Sequence, residues 1–342
     1  MSNIRTIISA KRLAESGLVR QDDVAELKKV EANFSTKLSP EVLSRIKTAS
    51  MDDPIYRQYV PSTDELNFKS DELADPIGDQ THSPVKGIIH RYPDRLLLTP
   101  THTCAVYCRF CFRRETVGKA EAALNRKELD AALDYIAANP AVSEVILSGG
   151  DPLILSDRRL DEIMKRLAAI KHIQVIRIHT RVPLVEPERI TPALLKILRV
   201  GPAVYMVLHV NHVAELSASV KKAIARMARA GIPLLSQSVL LKGVNDSAET
   251  LEELFRALIA NRVKPYYLHQ LDKAQGTSHF RVSTKRGQEI MRALRGRLSG
   301  LAQPTYVVDI PGGHGKVPIG PNYLTGNEIA DPKGRRHQYF DK

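Results

Sequence analysis

The chain has 342 residues, 43% of them hydrophobic, enough to bury the core of one large domain or two ordinary ones. Lys and Arg number 50 against 38 Asp and Glu, a net charge of +12. The basic residues are spread along the chain with no arginine-rich tail, zinc-finger spacing or RNA-binding signature, so nucleic acid is set aside as a partner. No apolar run reaches the roughly 18 residues of a membrane span, and the opening MSNIRTIISAKRLAESG lacks a secretory leader's apolar block, so the expected location is the cytoplasm.

Residues 1–89 read as short helices, 40–48 among them, followed by a Pro-, Asp- and Ser-rich passage from Asp52 to Pro84 that keeps no period. From residue 96 the pattern changes to strand-like runs alternating with amphipathic helical ones. LLLTP is followed by a helix at 126–138, EVILSGG by 157–170, and VIRIHT by 191–199. AVYMVLHV is followed by 213–230, PLLSQSVLL by 247–261, and PYYLHQLD by 284–299. Aliphatic strands each followed by a helix predict a parallel sheet covered by helices. Polar residues end nearly every strand: Asp151, His179, His209, Gln237 and Asp272. A doubly wound sheet gathers ligands near one switch point, whereas a barrel spreads chemistry over its whole rim, so the expectation is a partial barrel of six βα units spanning 90–300. A further strand, TYVVDIPGGHGKVPIGPNYL, and a frayed polar tail make up 301–342.

All three cysteines, Cys104, Cys108 and Cys111, fall in TPTHTCAVYCRFCFRRETVG directly after the first strand. An odd number in one short segment is a poor disulfide framework and a good metal loop. Three thiolates are one short of a closed zinc site or a four-cysteine cluster. A [4Fe–4S] cluster held this way keeps one iron open for a ligand; zinc completed by His102, or incidental core thiols, are the alternatives.

The spacing C-x3-C-x2-C, with aromatic Phe110 before the last cysteine, resembles the signature of radical S-adenosylmethionine enzymes. That resemblance implies a (βα)6 TIM-like partial barrel and a cluster whose open iron chelates S-adenosylmethionine. SGGDP, with Ser148, Gly149, Gly150 and Asp151, stands where the family's glycine-rich motif contacts the methionyl group, although two glycines there equally suit a tight turn. His209 and Gln237, polar residues at strand ends on the rim, are further candidate cofactor contacts. Over residues 80–324 the chain is similar to the lysine 2,3-aminomutase family. PGGHGK alone has the composition of a surface turn, but it is similar to the family segment whose lysine carries pyridoxal 5′-phosphate, which assigns that role to Lys316. Such a lysine must shed its proton and swing aside, and flanking glycines grant that freedom.

HRYPDR places Arg91 and Arg95 four apart, able to converge on a phosphate from a helical turn or a bent loop. In the family this segment binds the cofactor phosphate, with Tyr92 near the ring. The resemblance further gives Arg113 the amino acid carboxylate and gives Asp272 and Asp309 the ε-ammonium of lysine. Arg suits the first task through its planar fork, and two close carboxylates suit a cation between them. The implied reaction interconverts L-lysine and L-β-lysine by 1,2-amino migration, with a flavodoxin- or ferredoxin-class reductant. Alternatives are a β-lysine-forming enzyme serving elongation factor P modification, favoured by the YYLHQLDK phrase and the 26 residues after Lys316, and an aminomutase for another amino acid such as glutamate. A homo-oligomer is a further expectation. Two positions depart from the family pattern: His314 replaces a glycine, and Phe110 replaces a histidine.

Overall fold

Strand β1 (Ile88–Tyr92) turns back tightly on β2 (Arg95–Thr101), and the two pair antiparallel, in the computed structural model, which describes residues 6–118 and 123–340. Parallel strands follow: β3 (Glu144–Gly149), β4 (Val175–Thr180), β5 (Ala203–His209), β6 (Leu234–Val239), β7 (Lys264–His269) and β8 (Thr305–Asp309). Strand β9 (Lys316–Pro318) returns antiparallel on β8. Strand order follows chain order throughout the sheet. Right-handed crossovers in one direction put every connecting helix on the same face, so no switch point exists and the twisted sheet curls into a half-barrel.

The crossover helices form where the sequence supplies caps. Arg126–Ala137 begins at Asn125 in a capping box with Glu128, and Ser156, Thr191, Ser217, Ser247 and Ser283 cap Asp157–Ala168, Pro192–Ile197, Ala218–Arg229, Ala248–Ala260 and Thr284–Leu294. Their apolar stripes pack on outward residues of the strands: Leu160, Ile163 and Met164 share one core with Val145, Leu147, Ile176 and Ile178. The N-terminal segment contributes Leu13, Leu38, Val42, Ile55 and Tyr59 to that same core.

Strand residues of the opposite parity line the concave face. Arg95 and Leu97, Glu144, Ile146 and Ser148, and Val175, Arg177 and His179 all border one cavity of about 910 Å3. The pleat thus carries the polar ends of the strands inward as a set.

Five expectations need correction. The helix at 40–48 is only Pro40–Leu43, and the passage 52–84 contains a helix at Pro54–Tyr59, begun by Asp53 accepting from two N–H groups. HRYPDR is neither a helical turn nor a loop: it ends β1, turns, and starts β2. The stretch expected as one strand breaks into a hairpin because Gly312, Gly313 and Gly315 take φ of 84°, 85° and 94°, where a strand cannot continue. The tail is not frayed, since Leu324–Thr325, Glu328–Ala330 and Arg336–Gln338 form a three-stranded antiparallel sheet. Among the described residues no helix is long and apolar enough to cross a membrane.

Candidate active site

The cysteine loop leaves the C-terminal end of β2 and is pinned from both sides. Arg109, between Cys108 and Cys111, donates through Nε and Nη2 to the buried Glu65 at 2.9 and 2.6 Å, and Arg114 pairs with the same carboxylate. Burial pushes Glu65 up, but the two guanidinia outweigh it and hold the carboxyl below its usual range. Arg181, at the end of β4, donates to Cys108 Sγ at 3.4 Å and is itself paired with Glu215 at 2.5 Å. All three thiols are free and line the cavity. Burial raises each of them, Cys108 to about 11, so these groups become thiolates when a cation stabilises them.

Gly149 and Gly150 are required by packing. A Cβ on Gly149 would lie 2.7 Å from the Thr101 carbonyl oxygen, and one on Gly150 2.2 Å from that of Thr103. The Gly150 and Asp151 N–H groups donate to those same carbonyls at 2.7 and 2.9 Å, which locks the end of β3 beneath the cysteine loop. The backbone of both glycines still lines the cavity. The Asp151 carboxylate accepts from Leu153, Arg181 and Val182 N–H and from the Thr180 hydroxyl. With its oxygens so committed it braces the ends of β3 and β4. His209 and Gln237 project from β5 and β6 into the cavity, and the Phe110 and His209 rings meet edge-on with their centroids 5.7 Å apart.

Lys316 opens β9 on the far side. Its N–H donates to the Tyr92 hydroxyl at 2.8 Å, and its ammonium pairs with Asp309 and lies 3.3 Å from His269 Nδ1. Burial raises Asp309, but the His269 hydrogen bond and the Lys316 charge prevail and hold it well below the usual carboxylate range. Asp272 is the reverse case: burial, then the Asp309 charge, push it up to about 7. Among the described residues Asp272 has no ion-pair partner, so this carboxylate gains most from an arriving cation. Arg91 donates to the Ile77 carbonyl at 2.6 Å and lies 3.9 Å from Asp309. Arg95 stacks its guanidinium 3.9 Å over the Tyr92 ring and pairs with Asp94. Arg113 donates through Nε to Asp79 at 2.7 Å and lies within 3.4 Å of Ser148 Oγ.

Every predicted site residue borders the one cavity: the three cysteines, Arg91, Tyr92, Arg95, Arg113, Ser148, Gly149, Gly150, Asp151, His209, Gln237, Asp272, Asp309 and Lys316. His314 is exposed and does not border it. Sequence reasoning missed Asp79, Arg181 and His269. For His269 a signal existed, since it stands two residues after Tyr267 on the same face of β7, where alternation points it inward.

A half-barrel with a three-cysteine loop at the rim of its first parallel strand is the architecture of a radical S-adenosylmethionine enzyme, and residues 98–258 match the model described as Radical SAM superfamily. Residues 291–330 match the model described as Lysine-2,3-aminomutase. The chain is 45% identical over 287 residues to the L-lysine 2,3-aminomutase of Acetoanaerobium sticklandii, covering 84% of this chain and 69% of that protein. It is 42% identical to the L-lysine 2,3-aminomutase of Escherichia coli K12, over 84% of this chain and 83% of that one. It is also 39% identical to the glutamate 2,3-aminomutase of Clostridioides difficile, over 87% and 70%. The chain belongs to the lysine 2,3-aminomutase family of radical S-adenosylmethionine enzymes.

The family's cofactors are a [4Fe–4S] cluster, S-adenosylmethionine and pyridoxal 5′-phosphate, and the donors here suit them. Three free thiols share one loop, which offers a cluster three thiolate ligands. Arg91 Nε and the Nε2 atoms of His179, His209 and His269 are buried without a hydrogen-bond partner, and their residues border a cavity large enough for two organic cofactors and a substrate.

Proposed function

We propose that the protein interconverts L-lysine and L-β-lysine. The observation that carries this reading is the sharing of a single cavity by the cysteine loop, Lys316, Arg113, Asp272 and Asp309. The cluster with S-adenosylmethionine supplies hydrogen-atom abstraction, and pyridoxal phosphate supplies a carbonyl and a π system for the migrating amine. The protein's part is to hold, orient and exclude water. Cys104, Cys108 and Cys111 would hold the cluster; Ser148, the Gly149–Gly150 backbone, His209 and Gln237 would border S-adenosylmethionine. Lys316, Arg91, Arg95 and Tyr92 would hold pyridoxal phosphate.

Substrate choice rests on charge. Arg113 presents its terminal nitrogens to an α-carboxylate. Asp309 already holds an ammonium, that of Lys316, so its surroundings suit an amine. Asp272 sits close enough to feel both Asp309 and Lys316. A γ-carboxylate placed against two aspartates would be repelled, which favours lysine over glutamate. The same chemistry would serve free lysine or a β-lysine destined for elongation factor P, with electrons from a flavodoxin- or ferredoxin-class protein.

The test is anaerobic reconstitution with iron, sulfide, pyridoxal phosphate, S-adenosylmethionine and a strong reductant, followed by mass spectrometry of derivatised amino acids. L-Lysine should yield β-lysine while L-glutamate stays unchanged. Turnover of glutamate and not lysine would sink the assignment of Asp272 and Asp309.

A further inference from the structure

Five charged side chains alternate in sign across the cavity wall. Arg113 Nε donates to Asp79 Oδ2 at 2.7 Å, Arg91 Nη2 lies 3.4 Å from Asp79 Oδ1, Arg91 Nη1 lies 3.9 Å from Asp309, and Asp309 pairs with Lys316. Asp79 is the only carboxylate among the described residues that joins the arginine assigned to the substrate carboxylate with the arginine assigned to the cofactor phosphate. All three of these side chains are largely buried, at 11–16% exposure, where a charge-assisted bond is worth more than at the surface.

The loop that carries Asp79 is fixed at both ends. Asp75 accepts from the Asp79 and Gln80 N–H groups at 2.9 and 2.8 Å. His82 Nε2 donates to the Gly313 carbonyl at 3.0 Å, and Gly78, at φ +67°, packs so closely that a Cβ there would lie 2.6 Å from Gly313 N. Asp79 is thus held against the hairpin that presents Lys316.

The Asp79 bond uses Nε of Arg113. Occupying that position removes the side-on mode of carboxylate recognition, which needs Nε and one terminal nitrogen, and leaves the end-on pair Nη1 and Nη2. The near Ser148 hydroxyl steadies Nη1. A substrate carboxylate then meets a guanidinium fork whose rotation is already fixed, so less entropy is lost on binding.

We propose that Asp79 is a positioning residue that fixes Arg113 for end-on capture of the substrate α-carboxylate and Arg91 for the cofactor phosphate. The inference rests on the lysine and pyridoxal phosphate reading above. A purely electrostatic view expects the opposite effect, since deleting a negative charge beside two guanidinia should tighten anion binding.

The experiment compares wild type with Asp79→Asn and Asp79→Ala by absorbance, without S-adenosylmethionine or reductant. Pyridoxal phosphate is titrated first; then L-lysine, or L-lysinamide, which lacks the carboxylate, is titrated into the loaded protein. Positioning by Asp79 gives about tenfold or greater weakening for L-lysine in both variants, unchanged half-saturation for L-lysinamide, and several-fold weaker pyridoxal phosphate binding. Equal weakening for lysine and lysinamide would indicate general damage and overturn the inference, as would unchanged or tighter binding of lysine and pyridoxal phosphate. A wild-type protein that takes up pyridoxal phosphate but shows no response to lysine would remove the proposed substrate and the Arg113 half of the inference. The cofactor titration of the variants decides the Arg91 half in either case.

Discussion

The loop that carries the three cysteines and the hairpin that carries Lys316 border the same cavity from the two ends of the curled sheet, and they are held by different means. Around the cysteines, three arginines are buried and paired with buried acids: Arg109 and Arg114 on Glu65, and Arg181 on Glu215. Around Lys316 the backbone is glycine-rich and partly exposed, held by the pairing of β9 on β8 and by single hydrogen bonds from its own N–H to Tyr92 and from His82 to Gly313. Thiolates that share one cluster must keep fixed separations, so rigidity serves the first region. The lysine proposed to carry the cofactor must hand it over to a substrate amine, and the glycines flanking Lys316 leave its side chain room to swing.

The contrast sets the scale of what mutations should do. Lys316→Ala removes the one group proposed to bond the cofactor covalently; turnover should fall by roughly 10^3-fold or more, with the fold intact by circular dichroism. Glu65→Ala should act through stability, because it leaves two buried guanidinia unpaired. A loss of about 3–5 kcal/mol in denaturant unfolding, with poor iron retention, is expected although Glu65 touches no ligand. If that variant were as stable as wild type, the rigidity attributed to the cysteine loop would be lost.

Asp272→Asn is a smaller effect confined to binding. Losing one proposed charged partner of the substrate ammonium should raise KM for lysine about 10- to 100-fold, with less change in kcat. The same carboxyl gives a pH signature. Its pKa is raised to about 7 in the folded protein, so it is charged above that pH and protonated below it. KM for lysine should therefore rise as pH falls through about 7, and the Asn variant should lack that inflection. The linkage sign of this one group is opposite to that of a paired carboxylate: its contribution to stability is greatest below the unfolded value and is lost as pH rises from there through about 7. Asp272→Asn should therefore melt above wild type at pH 8. His314→Ala is the smallest change, within about twofold in KM and kcat, because the exposed ring borders open solvent and not the cavity.

Much of this was legible in the sequence, for identifiable reasons. The βα alternation is a periodic signal, and three cysteines in one loop are a compositional one, so the half-barrel and the cluster loop could be read directly. Asp79 and Glu65 could not. Each is one acid among many in an aperiodic segment, and their partners lie 34 and 44 residues away, a separation no local pattern encodes. Strand β1 was hidden because its charged end, HRY, looks like a turn, although Tyr92 proves to hold Lys316 by its backbone. The glycines of SGG were seen, but their tight fit against the Thr101 and Thr103 carbonyls depends on how β2 and β3 register, which only the folded sheet displays.

The central claim is that the two regions act on one substrate in one cavity, and label transfer tests it most directly. L-Lysine carrying deuterium on its β-carbon would be converted under anaerobic conditions, and both β-lysine and S-adenosylmethionine analysed by mass spectrometry. Deuterium retained in the product and also found at the 5′ carbon of S-adenosylmethionine is the expected result, since hydrogen would then leave and return through the cluster side while nitrogen migrates on the Lys316 side. β-Lysine formed with its label lost to water, and none in S-adenosylmethionine, would contradict the account.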